Sequence, residues 1–377
     1  MVAWNKMISG IRGFLFVLLT ALAVLPDISE AVRLRQIGQI DLGDDDEIYG
    51  LTTNNITIKS PDKLTFLSRR FEVRNEVPFD SSQTVVVSAS GLYYAFIEKT
   101  ENDPDDSASY IAAVYDSRNR PRWGTFGLPE GVYFLSPNGE YLVVITGTPR
   151  WNNRKLFIYH KSRPIVENDI CFFEDLLFSD DGNYLLIDAG PEGARLFDDA
   201  GSFIADYGSQ QSYAFSEDSR LLASFFQGHV KIFEGEREIL ALNPKELLLN
   251  GIEVRNEADR LFLAFHNQLL VYDTHSGEKI LARYTGKEGG TFASLDVSPD
   301  NRFVACGVDI NRGTLFRGHE RHVTGYLYLM DIEGRSLETM EFNYDKYRPG
   351  LPQVTFAPDN RIIFVQNRPS LHIIEMY

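Results

Sequence analysis

Ser136-Pro137-Asn138-Gly139-Glu140-Tyr141-Leu142 is one of a set of related segments spread along this chain. The others read Ser179-Asp180-Asp181-Gly182-Asn183-Tyr184-Leu185, Ser216-Glu217-Asp218-Ser219-Arg220-Leu221-Leu222, Ser298-Pro299-Asp300-Asn301-Arg302-Phe303-Val304 and Ala357-Pro358-Asp359-Asn360-Arg361-Ile362-Ile363. Ser88-Ala89-Ser90-Gly91-Leu92-Tyr93-Tyr94 is a shorter copy, and Asn256-Glu257-Ala258-Asp259-Arg260-Leu261-Phe262 a worn one. Each has the grammar of a tight turn. Pro presets φ early, Asp or Asn follows, and Gly or Asn takes the left-handed position at little cost. A unit repeating at roughly 40 residues with strand-rich flanks marks a propeller or a solenoid.

The flanks define the unit. Val132-Tyr133-Phe134-Leu135 precedes the turn, Leu142-Val143-Val144-Ile145 follows it, and Leu156-Phe157-Ile158-Tyr159 and residues 164–171 complete four strands. The third strand recurs as Val114-Tyr115-Asp116, Leu196-Phe197-Asp198, Ile232-Phe233-Glu234, Val271-Tyr272-Asp273 and Leu329-Met330-Asp331. Apolar–polar alternation is weak in the second strands, as expected of strands covered on both faces. Seven turns anchor the repeat, at residues 88, 136, 179, 216, 256, 298 and 357. The expected fold is therefore all-β: a seven-bladed β-propeller of four-stranded antiparallel blades. The chain stops after the third strand of the last unit, so an N-terminal strand must close the ring and protect its edges. Spacing favours residues 65–73 for that role, with 35–42 as second choice. The stretch holds more strand-like sequence than one strand needs, which leaves room for an extra hairpin or a partial eighth blade. The organisation read from the chain is a signal peptide at 1–31, ring-closing strands at 32–83 and the propeller at 84–377.

The Ser-Pro-Asp-Gly turn, the aliphatic strand after it and the later Val-Tyr-Asp resemble the WD-repeat and TolB-like β-propeller families over residues 84–377. No unit ends in Trp-Asp, and Gly318-His319 lies in the wrong loop for a WD repeat. The resemblance to exported TolB-like propellers is the closer one. It implies a binding scaffold for proteins and names no partner.

Composition narrows the classes. Net charge is −16, which disfavours generic nucleic-acid binding. Lys6 and Arg12, a largely apolar run at 14–25, Pro26 and Ser29-Glu30-Ala31 follow the three-part pattern of a secretory signal peptide. Twelve residues fall short of the ~20 that span a bilayer, so an uncleaved anchor is the lesser reading. The mature chain is expected to be exported, periplasmic or extracellular, with no stable membrane insertion. The two cysteines, Cys171 and Cys306, fall in distant repeats and are expected as separate buried thiols. Asn55-Ile56-Thr57 is a glycosylation acceptor only in a cell that glycosylates.

Function on such a scaffold belongs in loops. Long second-to-third-strand connections follow three of the counted units. Residues 99–109 are acidic, 147–155 carry Arg150, Trp151 and Arg154, and 309–325 carry Arg317 and Arg321. The 344–352 connection opens on the same face and carries Tyr347. In a seven-bladed ring these lie on one arc, and Arg, Trp and Tyr are interface hot-spot residues. Arg150, Trp151, Arg154, Arg317, Arg321 and Tyr347 are the expected partner contacts; the alternative is tolerated insertion. His319-Glu320-Arg321-His322 lacks zinc-protease spacing, and Asp44-Asp45-Asp46-Glu47 lacks a calcium loop's spaced ligands. No catalytic motif, metal or cofactor is expected. The leading function is a non-catalytic exported scaffold for a protein or peptide partner. Alternatives are a hydrolase or lyase with His, Asp or Glu converging in the central channel, or a subunit of an envelope assembly.

Overall fold

The computed structural model describes residues 32–377 apart from 44, 53–54, 69–70, 81, 101–108, 148–153, 171, 286–289, 312–322, 344–351 and 368–369. The described residues form eight four-stranded antiparallel sheets. Each is a blade with strands a to d, and the a strands of neighbouring blades contact one another around a central channel. Blades 1 to 7 run Glu47–Pro78, Thr84–Leu128, Gly131–Ile170, Asp175–Asp206, Ser212–Leu242, Leu249–Tyr284 and Gly290–Asn343. Blade 8 draws strands a to c from Gln353–Met376 and strand d from Leu34–Asp41.

Eight blades replace the seven expected. Residues 47–78, read as surplus strands, form a complete blade between the closing strand and the first counted repeat. That blade escaped the count because no serine turn joins its a and b strands. Its Ser60-Pro61-Asp62 joins b to c instead. The closing strand is Leu34–Asp41 rather than 65–73, which falls in strands c and d of blade 1. It pairs antiparallel with Ser370–Met376, from Leu34 opposite Met376 to Asp41 opposite Ser370. Arg33 and Tyr377 exchange backbone hydrogen bonds of 2.9 and 3.1 Å beyond the last pair, and an Arg35–Glu375 ion pair lies across the seam.

The repeated turn explains its own sequence. In Ser298–Phe303 the Phe303 N–H donates to the serine Oγ at 2.9 Å, and the hydroxyl donates to Asp300 Oδ1 at 2.7 Å. Ser136, Ser179 and Ser216 make the same pair of bonds, with Asn138, Asp181 and Asp218 as acceptors. All four serines are buried, so each satisfies a backbone donor that water cannot reach. The fourth turn residue holds positive φ, 69° at Gly139 and 57° at Asn301. Neighbouring turns are also joined: Ser90 Oγ donates to the Pro137 carbonyl at 2.6 Å and the Asp300 N–H to Asn360 Oδ1 at 3.0 Å.

Apolar packing lies between blades rather than within them. Leu221, Phe225 and Ile232 of blade 5 meet Val254, Leu263 and Phe265 of blade 6 in one cluster. Phe262 and Val271 on the other side of blade 6 meet Phe292 and Val304 of blade 7 in the next. The b strands, covered on both sides, are buried almost throughout, as in Tyr141–Thr146. Burying each such side chain stabilises by about 1.5–3 kcal/mol. Cys306 is a buried free thiol, and burial pushes its pKa up to about 12; Cys171 lies outside the described residues, as does the expected signal peptide at 1–31. Thr57 of the glycosylation acceptor is buried and its hydroxyl donates to the Gly91 carbonyl at 2.8 Å.

The turn account makes opposite predictions at two positions. Ser298→Ala strands the Phe303 N–H and should cost about 1–2 kcal/mol. Ala357, which lacks the hydroxyl, should gain up to about 1 kcal/mol as Ala357→Ser. Urea unfolding of both variants checks the signs.

Candidate functional site

Strand direction gives the ring two distinct faces. The a–b and c–d turns lie on one, the turn face; the b–c and d–a connections lie on the other, the loop face. The predicted contacts belong to loop-face connections. Of these, only Arg154 is described. It opens strand c of blade 3, is half-buried, and its Nη1 donates to the Phe173 carbonyl at 2.9 Å. Arg150, Trp151, Arg317, Arg321 and Tyr347 lie outside the described residues, as does the 319–322 histidine pair. The flanking strand ends, Thr146 and Arg154, Asn311 and Val323, Asn343 and Gln353, all open on the loop face. The extra blade lengthens the arc, since blade 1 now stands between blades 8 and 2. Asp46 accepts the Gly43 N–H at 2.8 Å, as in a polar turn.

Large apolar side chains are exposed at the same face. Phe126 is 83% exposed near the loop-face end of strand d of blade 2, and Val132 56% at the channel-side start of strand a of blade 3, paired with Ile145. Leu247 and Leu248 are 67% and 71% exposed in the connection from blade 5 to blade 6, and Tyr284 is 63% exposed at the end of blade 6.

The channel holds a cluster that sequence reading missed. Two cavities lie along it. One, about 910 Å³, is walled by Val86, Val132, Phe134, Leu177 and other residues of blades 1 to 4 and 8. The other, about 790 Å³, adjoins the turn face and is lined by Asp180, Glu217, Glu253, Arg255 and Asp296. Strand a places these charges. Two residues before the turn serine, neighbouring blades present Val86, Phe134, Leu177, Ala214, Asp296 and Thr355 to the channel. Blade 6 presents Glu253 there. Its Val254 pairs with Leu261 as Val297 pairs with Val304, so Arg255 occupies the serine position. Within the turn itself, the Asp259 N–H to Asn256 carbonyl bond and the positive φ at Asp259 keep Asn256 in line with the serines, while the strand pairing is shifted by one residue. Shifting the worn repeat by one residue would have put Glu253 and Asp296 in one layer and exposed an arginine in a serine's place.

Arg255 is the hub. Its Nη2 donates to the Val297 carbonyl at 2.7 Å and lies 3.5 Å from Asp296 Oδ1 and 3.7 Å from Glu253 Oε2. Asp296 accepts the Phe356 N–H of blade 8 at 2.6 Å and its neighbour Val297 N–H at 2.8 Å. Glu217 of blade 5 accepts the Asn256 and Glu257 N–H groups of blade 6 at 3.0 and 2.9 Å. Burial, then the Asp296 charge, pushes Glu253 up to about 8 against the pull of Arg255. Burial raises Asp296 to about 6, although the Phe356 N–H and Arg255 favour its anion. Asp180 is raised by partial burial, with Asp181 adding and Arg255 opposing. Such carboxyls can hold or release a proton near neutral pH. Among the described residues no cluster of metal-binding side chains occurs, and no helix is long and apolar enough to cross a membrane.

No family model matches this chain, and no curated protein matches it in sequence. Solved structures match it in fold. BamB from Moraxella catarrhalis is 14% identical, with 91% of this chain and 98% of that one covered at a TM-score of 0.53. The C-terminal WD40 domain of Sif2 is 9% identical, with 91% and 98% covered at 0.60. The Dos1 propeller is 11% identical, with 91% and 95% covered at 0.57. The chain is thus a β-propeller, as the turn resemblance implied.

Removing the hub tests its role. Arg255→Ala leaves the carboxyls without their cation and the Val297 carbonyl without its donor. It should cost about 3 kcal/mol at pH 8, the low end of the range for broken buried pairs because Glu253 and Asp296 keep some water. Denaturant titration measures it.

Proposed function

We propose that this protein is an exported, non-catalytic propeller that binds a protein or peptide partner at its loop face. The observation that carries this reading is the exposure of large apolar side chains at the loop face: Phe126 near the loop-face end of blade 2, and Val132 where strand a of blade 3 opens into the channel mouth beside Ile145. Exposed apolar groups rimmed by polar ones are the ordinary composition of an interface. Arg150, Trp151, Arg317, Arg321 and Tyr347 supply the remaining contacts from neighbouring connections. Arg154 contributes by holding the base of its connection to the Phe173 carbonyl. The opposite face consists of hydrogen-bonded turns, and its regularity suits a structural rim. Export rests on the leader-like residues 1–31.

A second reading has its own observation. Glu253 and Asp296 converge in the channel, the arrangement an acid–base hydrolase or lyase requires. A substrate screen between pH 5 and 9 addresses it: turnover abolished by Glu253→Gln would favour catalysis, and absence of turnover would leave the scaffold reading in place.

Photo-crosslinkers at Val132 and Trp151, with Ser117 on the turn face as control, test the scaffold directly. A defined partner should crosslink from Val132 and Trp151 only. Arg150→Ala and Trp151→Ala should each weaken its binding about thirtyfold, which is hot-spot magnitude, without moving the melting temperature. Equal crosslinking from Ser117, or unchanged binding in both variants, contradicts the assignment.

A further inference from the structure

We propose that the Arg255 cluster is a proton-controlled clamp that sets how firmly blades 5 to 8 hold together at the turn face of the channel. Consecutive junctions there run through its members. Glu217 joins blade 5 to blade 6 through two backbone N–H groups. Arg255 joins blade 6 to blade 7 through the Val297 carbonyl and Asp296. Asp296 joins blade 7 to blade 8 through the Phe356 N–H.

The composition makes this clamp sensitive to protons. Among the described residues, four carboxyls, Asp180, Glu217, Glu253 and Asp296, border a cavity lined by one cation, Arg255. Asp181 is the further charge beside Asp180. Arg255 is 11% exposed, and its Nε is buried without a hydrogen-bond partner. Glu253, 27% exposed, has the 3.7 Å contact with Arg255 as its ion pair, with the like charges of Asp296, Asp180 and Glu217 around it. Unlike Asp296 and Glu217, it bridges no blade junction. Its proton can therefore leave without undoing a link, while its charge repels the links around it.

The sign follows from the raised carboxyls. Glu253 and Asp296 bind protons more tightly in the folded ring than in the unfolded chain. Their contribution is fully favourable below the unfolded carboxyl range, near pH 4, and is lost as pH rises through the neutral range. Carboxyls whose pKa is lowered, such as Asp116 and Asp218, act in the opposite sense only at more acid pH. His372, lowered by burial, opposes the trend below the ordinary histidine range, but equally in wild type and cluster variants.

Urea unfolding of the full chain at pH 5.5 and pH 8.5 tests the clamp, with Glu253→Gln as the main variant. In wild type the folded-to-unfolded ratio should fall more than in Glu253→Gln, the excess being about tenfold or greater. The variant should match wild type at pH 5.5 and exceed it at pH 8.5. Hydrogen exchange, corrected for intrinsic rates, should quicken with pH in Leu249–Arg255 and Gly290–Val297 of wild type, and markedly less in the variant, which keeps only the Asp296 dependence. Asp180→Asn, at an exposed position, removes one facing charge and should give an intermediate dependence even if Glu253→Gln fails to fold. Asp296→Asn should instead weaken the ring at both pH values, because the single amide oxygen cannot accept both the Phe356 and the Val297 N–H. Parallel pH dependences of wild type, Glu253→Gln and Asp180→Asn would overturn the proposal.

Discussion

No blade of this protein owns its core. The buried clusters sit at the junctions, each built from side chains of two neighbouring blades. A blade removed from the ring would present two apolar faces to water, so the ring is stable only when every junction is filled. Closure is therefore the condition on which the rest depends. The junction between blades 8 and 1 packs Phe364, Leu371 and Ile373 against Ile56, Ile58 and Leu67, and the closing strand covers the remaining edge of blade 8. Without Leu34–Asp41, strand c of that blade would expose an unpaired ladder.

Closure also separates the two ends of the channel. At the turn face the chain spends its hydrogen bonds on itself, through buried serines and acidic caps that link turn to turn. The charged cluster belongs to that end, where it replaces one serine with Arg255 and two apolar channel positions with Glu253 and Asp296. At the loop face the connections vary in length and the apolar side chains are exposed. The two ends suit different work: internal cohesion at one, contact with another molecule at the other. A change of cohesion at the turn end acts on the same a strands that begin at the loop end.

The blade architecture was legible because one turn recurs with its chemistry intact. Ser, Asp and Gly are each required by a bond or a dihedral angle, so they mark the repeat even where identity elsewhere is lost. Blade 1 was illegible for the complementary reason. Its a–b connection dispenses with the serine turn, and its one Ser-Pro-Asp sits in a different hairpin. The closing strand was weakly legible, since its pattern of alternating half-buried residues resembles any outer strand and only the pairing with Ser370–Met376 singles it out. The channel cluster was hidden by a register shift of one residue in the worn repeat. Loop lengths and residue types pointed to a face, but the ring order that the extra blade changes could not be read from spacing.

Closure by Leu34–Asp41 can be tested without reference to any ligand. Arg35 and Glu375 are direct partners across the seam, within reach for a disulfide between β-bonded residues. Arg35→Cys combined with Glu375→Cys should crosslink intramolecularly under mild oxidation, in near-complete yield, and the reduced and oxidised forms should share one fold by circular dichroism. A crosslink that forms only between molecules, or not at all in the folded protein, would contradict closure by this strand and the eight-bladed ring with it.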